Sequence, residues 1–143
     1  MKIQQISLFA ENKPGHIAAP ARLLAQEGVD IRALYLADTQ QYGIVRMIVS
    51  NWQKAAGLLE SHGFVVKVTE VLAVEVPDRP GGLADVLGAL DGTGINIEYM
   101  YAFPNLCGDQ AILIFRFADL DAAIARLQTA GINLVASEEL LKK

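Results

Sequence analysis

The chain has 143 residues, enough for one ordinary domain or two very small ones. Hydrophobic residues make up 52%, and in modules of ~70 residues, which bury little surface alone, that content points to packing against another module, a second chain, or both. Twelve basic and sixteen acidic residues give a net charge of −4, and the one adjacent basic pair is Lys142-Lys143, which argues against a nucleic-acid partner; no apolar run approaches the ~18 residues of a membrane-spanning helix.

In chain order, the first expected element is a strand over about 3–10, with Ile6, Leu8 and Ala10 alternating as a half-buried strand requires. Lys13-Pro14-Gly15 reads as a turn. A helix follows over about 16–27, with Ile17, Pro20, Ala21 and Leu24 inward and Gly28 as its C-terminal cap. Pro20, about a turn inside, predicts one lost hydrogen bond or a mild kink. Strands over about 29–37 and 43–50 come next, the second with Val45, Met47 and Val49 facing the core. Asn51 is placed to cap a helix over about 52–62 that ends at Gly63, and Phe64-Val65-Val66 begins a last strand.

The series then repeats. Pro14-Gly15 falls on Pro80-Gly81 at an offset of 66, as do Leu24 on Leu90, Gly28 on Gly94, Ile31 on Ile97 and Tyr35 on Tyr101. After a two-residue insertion near Phe103–Gly108 the offset is 68, and Ile44, Asn51, Leu59 and Gly63 fall on Ile112, Asp119, Leu127 and Gly131. Self-similarity at this period marks a duplicated small domain. The second copy predicts strands at about 70–76, 95–103 and 110–117, helices at about 82–92 and 120–130 with Asp119 as cap, and a last strand at Ile132-Asn133-Leu134. The fold class is therefore α+β: two ferredoxin-like βαββαβ modules in tandem, 1–68 and 69–143, each an antiparallel sheet with both helices on one face. The crossing is expected at Lys67–Glu70, without a flexible linker, and Ser137–Leu141 reads as a short capped helix on the second module.

The motif Asp78-Arg79-Pro80-Gly81-Gly82-Leu83, then a helix, then Gly94-Ile95-Asn96-Ile97 resembles the ACT domain, a regulatory module attached to many amino-acid metabolic enzymes. Glu11-Asn12-Lys13-Pro14-Gly15-His16-Ile17 and Gly28-Val29-Asp30-Ile31 repeat that frame, so the resemblance covers nearly the whole chain, which is similar to stand-alone tandem ACT proteins. It implies that modules pair side by side into an eight-stranded sheet and hold an amino acid in the seam, the turn of one module facing the second strand of the other. The implied ligand-binding residues are Asn12, Lys13, Pro14, Gly15, His16, Ile17 and Asp30 with Leu34 and Leu36, and Asp78, Arg79, Gly81, Gly82, Leu83 and Asn96 with Met100 and Ala102.

The residue chemistry agrees. Glycine allows close backbone approach, and a helix start offers unpaired N–H groups and a positive dipole end to a carboxylate. Asp78, Asp30 and strand carbonyls suit an α-ammonium, and Asn96 can donate and accept. Asp30 opposite Asn96, and His16 opposite Gly82, make two equivalent sites unexpected. Asp30 and Asn96 also read as loop caps, and His16 as an exposed first-turn residue. Tyr99, Tyr101 and Phe103 suit packing, Trp52 the core edge, His62 a helix end, and Cys107 an unreactive thiol.

The expected function is a non-catalytic, allosteric amino-acid-binding regulator, with a homodimer and an amino-acid metabolic enzyme as partners. The alternative is a ligand-free ACT assembly module that dimerises or docks on such an enzyme. No catalytic, dinucleotide, phosphate-loop or metal-ligand motif is present, so no enzyme activity, cofactor or metal is expected. A single cysteine and a start, Met1–Ile6, without an apolar signal core fit the cytoplasm.

Overall fold

The computed structural model describes residues 1–38, 42–107 and 110–142. Contacts divide the chain into two compact units, Gln4–Thr69 and Glu70–Lys143, the latter with Met1–Ile3. Each is an α+β module of the ferredoxin-like kind.

The first unit holds β1 (Ile3–Glu11), α1 (Ala18–Gln26), β2 (Ile31–Asp38), β3 (Tyr42–Val49), α2 (Trp52–Ser61) and the start of β4 (Val65–Pro77). β3 lies between β1 and β2, antiparallel to both, in a register that sets Leu8 and Leu36 on Val45. Ile6, Leu8, Val45, Met47 and Val49 bury one sheet face against Leu24 of α1 and Ala55 and Leu59 of α2. The apolar stripes of the helices meet the alternating strand positions there, the arrangement that removes most apolar area from water.

The second unit holds the rest of β4, α3 (Gly82–Gly88), β5 (Ile97–Cys107), β6 (Gln110–Phe117), α4 (Leu120–Thr129), β7 (Leu134–Val135) and α5 (Ser137–Leu140). Antiparallel pairings run β5-β6-β4-β7. Leu72, Val74, Val76, Phe115 and Phe117 pack on Val86, Leu90, Ala123 and Leu127. Lys2 reaches Asp121 at 2.9 Å and Glu70 at 4.0 Å. The carboxylates raise the Lys2 ammonium above its ordinary 10.5, chiefly through the hydrogen bond to Asp121.

Asn51 and Asp119 cap α2 and α4 as their positions predict, accepting from the amides of Lys54 and Ala122 at 3.1 Å. Four expectations change. The two strands predicted around the crossing form one thirteen-residue strand, β4, because nothing in Lys67-Val68-Thr69-Glu70 breaks extended backbone; among the described residues there are seven strands, not eight. β1 over Gln5–Leu8 and β4 over Val71–Val74 are buried on both faces rather than one, since Gln5, Ser7, Val71 and Ala73 are buried too. α1 starts at Ala18, so Pro20 falls in its first turn, where an N–H would have no helical partner anyway, and no bond is lost. α3 stops at Gly88, and turns carry the chain to Gly94, braced by the Thr93 hydroxyl, which donates to the Leu90 carbonyl at 2.6 Å and accepts from the Ile95 amide at 3.2 Å.

Candidate functional site

Both Pro-Gly turns have the same geometry. Gly15 and Gly81 lie at φ +85°, a left-handed conformation that costs other residues about 1–2 kcal/mol. The His16 amide donates to the Lys13 carbonyl at 3.2 Å and the Ala19 amide to Gly15 at 3.2 Å; 66 residues on, Gly82 donates to Arg79 at 3.0 Å and Asp85 to Gly81 at 2.9 Å. Each turn thus swings the chain from a strand end into a helix start, where the Gly15 and Gly81 carbonyls take the amides of Ala19 and Asp85 and the positive end of the helix dipole lies. Asn12 to Ala18 line an open hollow of about 410 Å³, which brings together Asn12, Lys13, Pro14, Gly15, His16 and Ile17.

The second turn differs inside this shared frame. A Cβ on Gly82 would sit 1.9 Å from the Pro77 carbonyl oxygen, so that position accepts no side chain without backbone movement. At the matching position His16 carries a full imidazole, whose ring lies 3.5 Å from where a Cβ on Gly43 would be, with Leu36 beside it at 3.3 Å. The residue paired with Gly43 by the repeat is Ala111. One copy has His and Gly where the other has Gly and Ala, so bulk at the turn trades against bulk on the facing strand. Arg79 reaches Asp85 at 2.9 Å on the surface, while Lys13 faces Glu11 at 3.9 Å. Asp78 and Leu83 flank the second turn, with Leu83 partly exposed.

Asp30 and Asn96 lie elsewhere. In the first unit the turn follows the Glu11↔Tyr42 end of the sheet, and Asp30 precedes the Ile31↔Val49 end; in the second, the turn follows the Pro77↔Gln110 end and Asn96 the Ile97↔Phe117 end. Each is therefore a strand length, about 20 Å or more, from the turn of its own unit. Their backbones do the same job: the Ser50 amide donates to the Asp30 carbonyl at 2.9 Å and the Ala118 amide to Asn96 at 3.0 Å. The Asp30 carboxylate stands 3.6 Å from Arg32 Nε. Leu34 and Leu36 lie on β2, at the end of the strand order, and are 52% and 45% exposed. Met100 and Ala102 occupy the equivalent edge strand β5, half-buried and exposed.

Two deeper clefts escaped the sequence reading. In the first unit Phe9, Glu11, Lys13, His16, Tyr42, Phe64 and Val65 border a cavity of about 470 Å³. In the second, Glu75, Pro77, Arg79, Asp85, Gln110, Ile132 and Asn133 border one of about 490 Å³. These are the same place in the fold, where the first strand ends, the Pro-Gly turn begins and the last strand starts. The signal lay in the aligned copies, at Phe9/Glu75, Tyr42/Gln110 and Val65/Asn133, three apolar-to-polar exchanges that only the fold brings together. Arg46 lies with its guanidinium 5.8 Å from the centre of the Tyr35 ring, and Arg116 meets Glu98 at 3.2 Å and the Glu70 carbonyl at 3.0 Å. The His62 ring contacts the Leu58 carbonyl at 3.0 Å. The side chain of Cys107 lies outside the described residues. Among the described residues there is no group of three or more His, Cys, Asp or Glu placed to hold a metal ion, and no helix long and apolar enough to cross a membrane.

A sequence profile described as an ACT domain pair matches residues 1–143. Among solved structures, protein BT0572 from Bacteroides thetaiotaomicron is 37% identical, with a TM-score of 0.92 over 100% of this chain and 98% of that one. The ligand-free regulatory subunit of aspartate kinase from Thermus thermophilus is 20% identical, with a TM-score of 0.65 over 90% of each chain. E. coli aspartokinase III, solved in complex with lysine and aspartate, is 14% identical, with a TM-score of 0.52 over 91% of this chain and 31% of that one. No curated protein matches the chain.

Proposed function

The chain belongs to the ACT domain-pair family, and from that premise we propose that it is a non-catalytic regulator that binds a free amino acid at its Pro-Gly turns. The observation that carries this reading is the duplicated turn, with Gly15 and Gly81 both at φ +85° and the same two backbone bonds closing each. The ligand carboxylate lies at the turn, by the positive dipole end of the helix that follows, an interaction worth roughly 0.3–2 kcal/mol. Strand carbonyls and acidic side chains near the turn hold the ammonium. A neighbouring module closes the site by laying an edge strand such as β2 or β5 against it; exposed Leu34 and Leu36 suit such a contact. The exposure of those leucines also supports a homodimer.

Regulation then follows from linkage. The ligand stabilises the arrangement of modules that it binds best, and shifts a partner only by its differential affinity for two states. The likeness to the Thermus regulatory subunit and to the lysine- and aspartate-bound aspartokinase supports an enzyme of amino-acid metabolism as that partner. One cysteine in 143 residues supports action in the reducing cytoplasm. A thermal-shift scan of the intact chain against the twenty amino acids tests the reading: a ligand at about 100 times its Kd adds about 2.7 kcal/mol of stability, a rise of several degrees. No rise with any of them would leave the assembly reading.

A further inference from the structure

We infer that the cleft of the first unit is the side-chain pocket of the amino-acid site and selects a ligand with a large apolar side chain, aromatic or branched aliphatic. The inference rests on the amino-acid reading of the turn and adds the ligand class and the walls that recognise it.

Three of the large hydrophobic side chains that the chain leaves exposed, Phe9 at 36%, Tyr42 at 56% and Val65 at 65%, border this one cavity. They come from three strands, β1, β3 and β4, so no single sequence run explains the cluster. The cavity, about 470 Å³, lies within the common range for small-molecule pockets. The sister cleft is an internal control. It occupies the same place in the fold with nearly the same volume, and there the three positions are Glu75, Gln110 and Asn133. If these positions only filled out a surface, polar residues would serve in both copies. Apolar surface is kept where it gains by being covered.

The rim gives the other half of the ligand. Lys13 and Glu11 stand 3.9 Å apart, both largely exposed, opposite charges matched to an α-carboxylate and an α-ammonium. An apolar wall beside paired charges of both signs complements a zwitterion with a hydrophobic side chain. Every residue of this pocket belongs to the first unit.

The test is calorimetric titration of the intact chain with L-phenylalanine, L-leucine, L-serine and L-lysine, repeated on two variants. The first, Phe9→Glu/Tyr42→Gln/Val65→Asn, gives the first cleft the residues of the second; these positions are exposed enough to accept polar groups, and circular dichroism checks the fold. The second, Gln53→Ala, alters an exposed position at the start of α2, away from the cleft and the turn. Expected are binding of phenylalanine or leucine at least tenfold tighter than of serine or lysine, loss of that preference in the triple variant, and its retention in Gln53→Ala. Preference for serine or lysine, or a triple variant that keeps the apolar preference, overturns the inference and leaves the amino-acid reading standing. Binding of none of these four overturns the inference, and if the remaining sixteen amino acids titrated in the same way also fail to bind, the amino-acid reading falls with it.

Discussion

At Gly82 the absence of one methyl group lets the second turn close. The Pro77 carbonyl stands 1.9 Å from where a Cβ would be, so Gly82→Ala must displace backbone at a helix start. We expect it to lower unfolding free energy by about 1–3 kcal/mol, the usual cost of overpacking, in urea denaturation followed by circular dichroism. Gly57 is the counter-case. It lies exposed within α2, with open space around a would-be Cβ and no positive φ. Gly57→Ala should raise stability by about 0.5–1 kcal/mol, because glycine costs a helix that much in backbone entropy. Lys2 offers a test in solution. Its pKa stands above 10.5, so its tie to Asp121 is fully present below 10.5 and is lost as pH rises through the higher folded value. In Asp121→Asn the Lys2 side-chain resonances should titrate at lower pH than in the parent chain. The glycine repeat and the His16/Gly82 asymmetry were legible in the sequence. The Pro77 carbonyl that enforces Gly82, and the Gly43 that makes room for His16, were not, since the first meets Gly82 only once the turn folds back on the end of β4 and the second lies on a different strand, β3.

Elements show the same division between local and non-local causes. The caps were readable because an Asn or Asp just before an apolar helical pattern satisfies its amides locally, and both form. Asn51→Ala and Asp119→Ala should each cost about 1 kcal/mol, and because they sit in different units the losses should add in the double variant within a few tenths of a kcal/mol. Helix ends were less legible. α3 stops four residues short of its expected end near 92, because Thr93 ties the Leu90 turn to Ile95 and the chain unwinds into turns before Gly94. β4 was misread as two strands because each copy was treated as closing on itself. A run of twelve residues without Gly or Pro, from Val65 to Val76, has no local reason to stop being extended.

At the scale of the whole chain, duplication supplied a frame and divergence supplied the chemistry. The frame is the part sequence shows best: alternation, caps and Pro-Gly turns recur at 66 and 68 residues and the two units follow them. The candidate site was half visible. The turn residues are contiguous in sequence, whereas Phe9, Tyr42 and Val65 gather only when three strands align, and Asp30 and Asn96, credited with ligand contacts, stand at the far end of their own sheets. The central claim is that free amino acids bind at the Pro-Gly turns. The most direct measurement is an amide-resolved NMR titration of the isotope-labelled chain with the amino acids one at a time. At least one should shift amides within Lys13–Ala18 or Arg79–Ala84 in a saturable way. Spectra unchanged at millimolar concentrations of all twenty, or shifts confined to residues away from both turns, would contradict the account.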